Sequence, residues 1–95
     1  MRHTRAFEAL RDTAVHGPGT LDPDVRAAAH AGTATGDVGA LVEKIRSDAA
    51  SIGDADIDAL RGALSEDQLF ELAVCAAIGE AERRLRAARR ALGRE

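Results

Sequence analysis

Apolar positions in this chain recur at three- and four-residue intervals, the spacing of one helix face. Nowhere do they alternate with polar residues over the roughly four to eight positions that a strand needs. The clearest stripe is C-terminal: Val74, Ile78, Ala81, Leu85, Ala88 and Leu92 form a narrow apolar line that suits a second helix packed against it. Its start is marked by Ser65, which can cap the Gln68 N–H while Gln68 reaches back, and by Leu64, which can pack on Leu69. A second stripe, Val38, Leu41, Val42, Ile45, Ala49 and Ile52, predicts a core helix capped by Asp37 and ended by Gly53.

The other elements are shorter. Thr4 to Val15 puts Phe7, Leu10 and Ala14 on one face before His16-Gly17-Pro18-Gly19 stops the helix. Leu21-Asp22-Pro23 supplies an acidic cap and a first-turn proline for a brief helix through Val25 to Ala29. Asp54 is the expected cap of a helix carrying Ile57, Leu60 and Leu64, and Gly62-Ala63-Leu64 leads into the Ser65 box. The expectation is a single all-α domain over residues 1–95 with about five helices. Its one flexible internal linker is residues 32–36, Gly-Thr-Ala-Thr-Gly, too short to separate two domains.

Composition makes the core thin. Twenty-one residues are Ala, against 20 Leu, Val, Ile and Phe together, and a domain of this size buries only about 60–65% of its unfolded surface. With no Trp or Tyr and a single cysteine, a second subunit is the expected source of further stability, so the stripe Val74, Ile78, Ala81, Leu85, Ala88 and Leu92 is predicted to form a homo-oligomer interface.

Charge is uneven. Residues 37–78 carry nine acids and three bases, and residues 79–95 carry three acids and six bases. An arginine-rich end invites a DNA-binding reading, but Glu80 precedes Arg84, and Glu82 precedes Arg86, in the order that favours pairing along one helix face. No helix-turn-helix pattern with base-reading residues accompanies them, so nucleic acid ranks last among the partners. Met1-Arg2-His3-Thr4-Arg5 has no apolar stretch behind it, and no run approaches the roughly 20 apolar residues of a membrane span. A lone cysteine fits a reducing cytoplasm, and 12 Arg against one Lys suggests a GC-rich bacterial genome.

Two side chains are weak catalytic candidates. Cys75 lies between Val74 and Ala76-Ala77-Ile78, surroundings that keep a thiol protonated and favour a packing role. Glu71, one turn earlier, can approach the stripe, where burial would raise its pKa and suit it to proton relay; the alternative is a pair with an arginine of a neighbouring helix. His3, His16 and His30 fall on different elements with no ligand spacing, so no metal or other cofactor is expected; His30, ending a helix, is expected at the terminal carbonyls. Gly17-Pro18-Gly19-Thr20 lacks the lysine of a phosphate loop and reads as a turn.

Ile52-Gly53-Asp54-Ala55-Asp56-Ile57-Asp58-Ala59-Leu60, Leu64-Ser65-Glu66-Asp67-Gln68-Leu69-Phe70-Glu71-Leu72 and Arg84-Leu85 resemble the C-terminal helical part of the alkylhydroperoxidase D-like, or carboxymuconolactone decarboxylase-like, family. Gly17-Pro18-Gly19-Thr20-Leu21 and Leu41-Val42-Glu43-Lys44-Ile45 also resemble segments of its short members. The resemblance implies an all-α fold and helix-mediated dimers, trimers or rings. Peroxide-reducing members carry Cys-x-x-Cys followed by His on one helix; here Cys75 is followed by Ala76, Ala77 and Ile78, with no later histidine. No catalytic residue transfers. The first reading is therefore a non-catalytic helical oligomer, an accessory or binding module with a possible protein partner. The alternative is an enzyme using Glu71 or Cys75 in a pocket between subunits for peroxide reduction or decarboxylation-type chemistry.

Overall fold

The computed structural model describes residues 2–17 and 19–93, with side chains from residue 8 onward except His16. Pro18 lies outside what is described, as do the side chains of His3, Phe7 and His16. Among the described residues five α-helices follow in order: α1 (Arg2–His16), α2 (Pro23–Ala31), α3 (Gly36–Ser47), α4 (Asp54–Arg61) and α5 (Glu66–Ala91), with one 3₁₀ turn, Ala49–Ser51, between α3 and α4. No strand occurs among the described residues.

Local chemistry explains most boundaries. The Asp22 carboxylate accepts the Asp24 N–H at 2.8 Å, Pro23 opens α2, and Gly32 closes it, with the Thr33 N–H donating to the Ala28 carbonyl at 2.9 Å. The stretch 32–36 is thus the C-cap of α2 leading directly to the N-cap of α3, Thr35. Asp37 is not that cap: the helix already begins at Gly36, so the Asp37 carboxylate sits in the first turn, at the positive end of the helix dipole.

α3 is also shorter than its apolar stripe. Ser47 donates its hydroxyl to the Glu43 carbonyl at 2.7 Å and Ser51 to that of Asp48 at 2.8 Å, local bonds that compete with a continuing helix, and Ala49 and Ile52 fall beyond its end. Gly53, expected to end α3, caps α4 instead. Its N–H donates to Asp56 Oδ2 at 2.9 Å, which leaves Asp54 as the first helical residue rather than the cap. Lys44 Nζ reaches both Asp56 oxygens, at 2.8 and 2.9 Å, and ties α3 to α4. The Ser65 box forms as expected, at 3.1 Å to the Gln68 N–H and 2.9 Å in return.

The inner face of α5 is the spine of the core. Leu72, Cys75 and Ala76 are at most 1% exposed and meet Ala29 of α2, Leu41 and Val42 of α3, Leu60 of α4, Val15 and Leu21. α2 makes the most extensive contact with α5, and the sequence permits it: Ala29 faces inward, and a Cβ on Gly79 would overlap the His30 carbonyl. The α3 stripe is covered by the chain itself, Leu41 and Val42 fully and Val38, Ile45 and Ile52 in part. That is the core role its spacing predicts, with only Ala49, in the 3₁₀ turn, left exposed.

Candidate functional site

Glu71 sits on α5 where the α1–α2 connection folds back over it. Its Oε1 accepts the Thr20 N–H at 2.9 Å, and its Oε2 accepts the Leu21 N–H at 2.8 Å and the Thr20 hydroxyl at 3.1 Å. Gly19 leaves room for this arrangement, because a Cβ there would displace Glu71 Oε1 from its present position. Burial pushes the carboxyl pKa upward, but the Thr20 and Leu21 bonds and the nearby Arg26 charge outweigh it, so the group lies below the ordinary glutamate value. That direction opposes the one a proton relay at neutral pH requires.

Arg26 and Cys75 complete this corner. Arg26, 4% exposed, donates through Nη1 to the Gly17 carbonyl at 2.7 Å and more weakly to that of Ala14 at 3.3 Å. Cys75 Sγ also donates to the Ala14 carbonyl, at 3.4 Å. Burial raises the Cys75 pKa; the Arg26 charge lowers it, that of Glu71 raises it further, and the net direction is up. A thiol so placed is protonated, and its hydrogen is engaged with backbone. Gln68 Nε2 adds a 3.1 Å bond to the Thr20 carbonyl. The two candidate catalytic side chains therefore lie one turn apart and in one cluster, but both fasten the end of α1 and the α1–α2 connection onto α5.

A second polar cluster flanks Gly79. Arg46 of α3 donates to the His30 carbonyl at 2.8 Å and lies 3.8 Å from Glu80 Oε1. Arg46, not His30, serves the terminal carbonyls of α2, because the His30 ring turns to Glu82, with Nε2 at 3.3 Å from Oε2. Arg11 and Arg86 stand 3.9 and 3.8 Å from the same Glu82 oxygen, while the buried Oε1 has no hydrogen-bond partner. Glu80 is bound by Arg83 and by Arg84 Nε at 3.1 Å. The Arg83 bond, opposed by burial and helped by Arg84 and Arg46, depresses the Glu80 pKa to about 2. The arginine-rich end is thus partly neutralised in place, in the Glu80–Arg84 and Glu82–Arg86 order expected from sequence. Among the described residues no group of His, Cys, Asp and Glu is arranged to hold a metal ion, and no helix is long and apolar enough to cross a membrane.

The outer face of α5 differs in kind. Of the six stripe residues, Ile78 turns inward at 7% exposure and belongs to the chain's own core, because α5 presents it toward the packed side. Val74 and Leu85 are half-buried, Ala81 and Ala88 are exposed, and Leu92 is 72% exposed. Phe70, 71% exposed, and Ala77 continue the same face toward the N-terminus. Sequence reasoning started the stripe at Val74 and missed both, although Phe70 extends the pattern one four-residue step back from Val74 and Ala77, three residues after Val74, takes the place on this face that was given to Ile78. Beside Ala77 and Ala81, the end of α3 and the 3₁₀ turn wall an open groove of about 330 Å³, apolar at Ile45 and Ala49 and polar at Arg46, Ser47, Glu80 and Arg84.

No family model, no curated protein and no solved structure matches this chain.

Proposed function

We propose that this chain is a non-catalytic helical oligomer, an accessory or binding module whose assembly surface is the outer face of α5. One observation carries the reading: Glu71 and Cys75 are both spent on fastening the α1–α2 corner, while the longest helix turns Phe70 and Leu92 to solvent. Leu10 of α1 is the third large apolar side chain exposed among the described residues, at 53%, but only the α5 face carries two of them in one line with small apolar residues between, which favours an interaction surface over a reaction site. The resemblance of residues 52–60 and 64–72 to the alkylhydroperoxidase D-like family supports a helical scaffold of that kind that works without the thiol pair. The buried thiol, without a second cysteine in the sequence, supports a reducing, cytoplasmic setting, and 12 Arg against one Lys supports a GC-rich bacterial source.

Peroxide exposure tests the non-catalytic part. The protein is expected neither to consume hydroperoxide nor to form a sulfenate at Cys75, and a native-state thiol reagent should label it slowly. Fast labelling near neutral pH, or a sulfenate formed with dilute peroxide, overturns the reading in favour of a thiol enzyme.

A further inference from the structure

The exposed face of α5 has an internal symmetry. Phe70 and Leu92 lie eleven residues to either side of Ala81, Val74 and Ala88 seven, and Ala77 and Leu85 four. We propose that α5 pairs antiparallel with α5 of a second copy about a twofold axis at Ala81, an arrangement that rests on the self-associating reading above and specifies its partner. In that register Phe70 meets the partner's Leu92, Val74 the partner's Ala88, Ala77 the partner's Leu85, and Ala81 its own counterpart. Inside the terminal pairs each bulky residue faces a small one, so the layers interlock, and the alanine at the axis lets the helices approach closely. The seam runs about 33 Å, a little over three heptads.

Shape and charge select this partner. The groove beside Ala77, with Ile45 and Ala49 on its apolar side, would receive the partner's Leu85 in this register. Arg84, which borders the middle of the seam, is folded back onto Glu80 at 3.1 Å, so the line itself stays apolar. The first turn of α5 carries Glu66 and Asp67, and its last turn carries Arg89 and Arg90. Antiparallel pairing sets the acidic end of each helix beside the basic end of the other and opposes the two helix dipoles. Parallel pairing sets like charges together at both ends and stacks alanine on alanine at residues 77, 81 and 88, leaving gaps.

Disulfide trapping tests the register. In a Cys75→Ala background, Val74→Cys and Ala88→Cys proteins are oxidised separately and mixed, with helix content checked by circular dichroism and mass by sedimentation. The mixture is expected to give the mixed disulfide, with either variant alone linking to itself at roughly a tenth of that rate or less. Ala77→Cys mixed with Leu85→Cys gives the same answer if residue 74 proves sensitive. A dimer in which Val74→Cys links chiefly to itself, or in which neither mixed pair forms, overturns the antiparallel arrangement and leaves the oligomeric reading standing. A monomer by sedimentation removes both.

Discussion

Glu71 and Thr20 are joined twice, through the Thr20 N–H at 2.9 Å and its hydroxyl at 3.1 Å, although 51 positions separate them in sequence. A carboxylate that accepts a row of backbone and hydroxyl donors caps the start of the chain's second segment, much as an N-cap serves a helix, and gains most when ionised. The bond fixes the α1–α2 connection on α5 and brings Arg26 to the Gly17 carbonyl beside it. The residue best placed for proton chemistry is therefore a structural anchor.

Replacing that anchor gives the first prediction. Glu71→Gln should keep the helical spectrum but melt at lower temperature, because an amide has one acceptor oxygen where the carboxylate has two. In the native protein, carbon NMR should find the Glu71 carboxyl titrating below its ordinary value of 4.5. A midpoint above that value reinstates the proton-relay role.

Cys75 gives the second. Cys75→Ala should cost about 1–2 kcal/mol through lost packing and leave assembly unchanged. A thermal melt and a sedimentation run check both halves, and a variant that loses its partner would place the thiol at the interface.

Glu80 sets an acid-limb prediction. Its folded pKa of about 2 lies below the ordinary 4.5, so the stability it confers is complete above pH 4.5 and disappears as pH falls toward 2. Urea melts of the wild type and Glu80→Gln should differ at neutral pH and converge across that window. A difference that persists unchanged at pH 2 assigns the effect to packing rather than charge.

Two glycines should behave oppositely. Gly79→Ala drives a methyl into the His30 carbonyl and should destabilise by about 1–3 kcal/mol or more. Gly62→Ala, where the backbone is right-handed helical and nothing lies within 4 Å, should be neutral or stabilising by up to about 1 kcal/mol. Parallel melts of the two variants decide it.

What could be read from sequence was local. Ser65 with Gln68, and Asp22 with Pro23, act within three residues of one another, and their helix starts stand as expected. Thr35 and Gly53 displaced the expected caps Asp37 and Asp54 because the choice among adjacent candidates depends on backbone geometry and on which side chain reaches back, as Asp56 does to Gly53. Glu71 with Thr20, Arg46 with the His30 carbonyl and Gly79 against α2 all join distant segments, and no period or spacing encodes them. The helical period identified the α5 stripe but could not tell which flank faces inward; in the fold Ile78 is buried and Phe70 is left outside.

Sedimentation equilibrium of the wild type and Ala81→Glu tests the central claim most directly. Ala81 is exposed in the single chain, so the substitution should leave the fold intact while placing two carboxylates together at the proposed axis. The wild type should show twice its 10.0 kDa chain mass at micromolar concentration, and Ala81→Glu the single-chain mass with an unchanged helical spectrum. A wild type that remains at 10.0 kDa across the micromolar range would contradict the account.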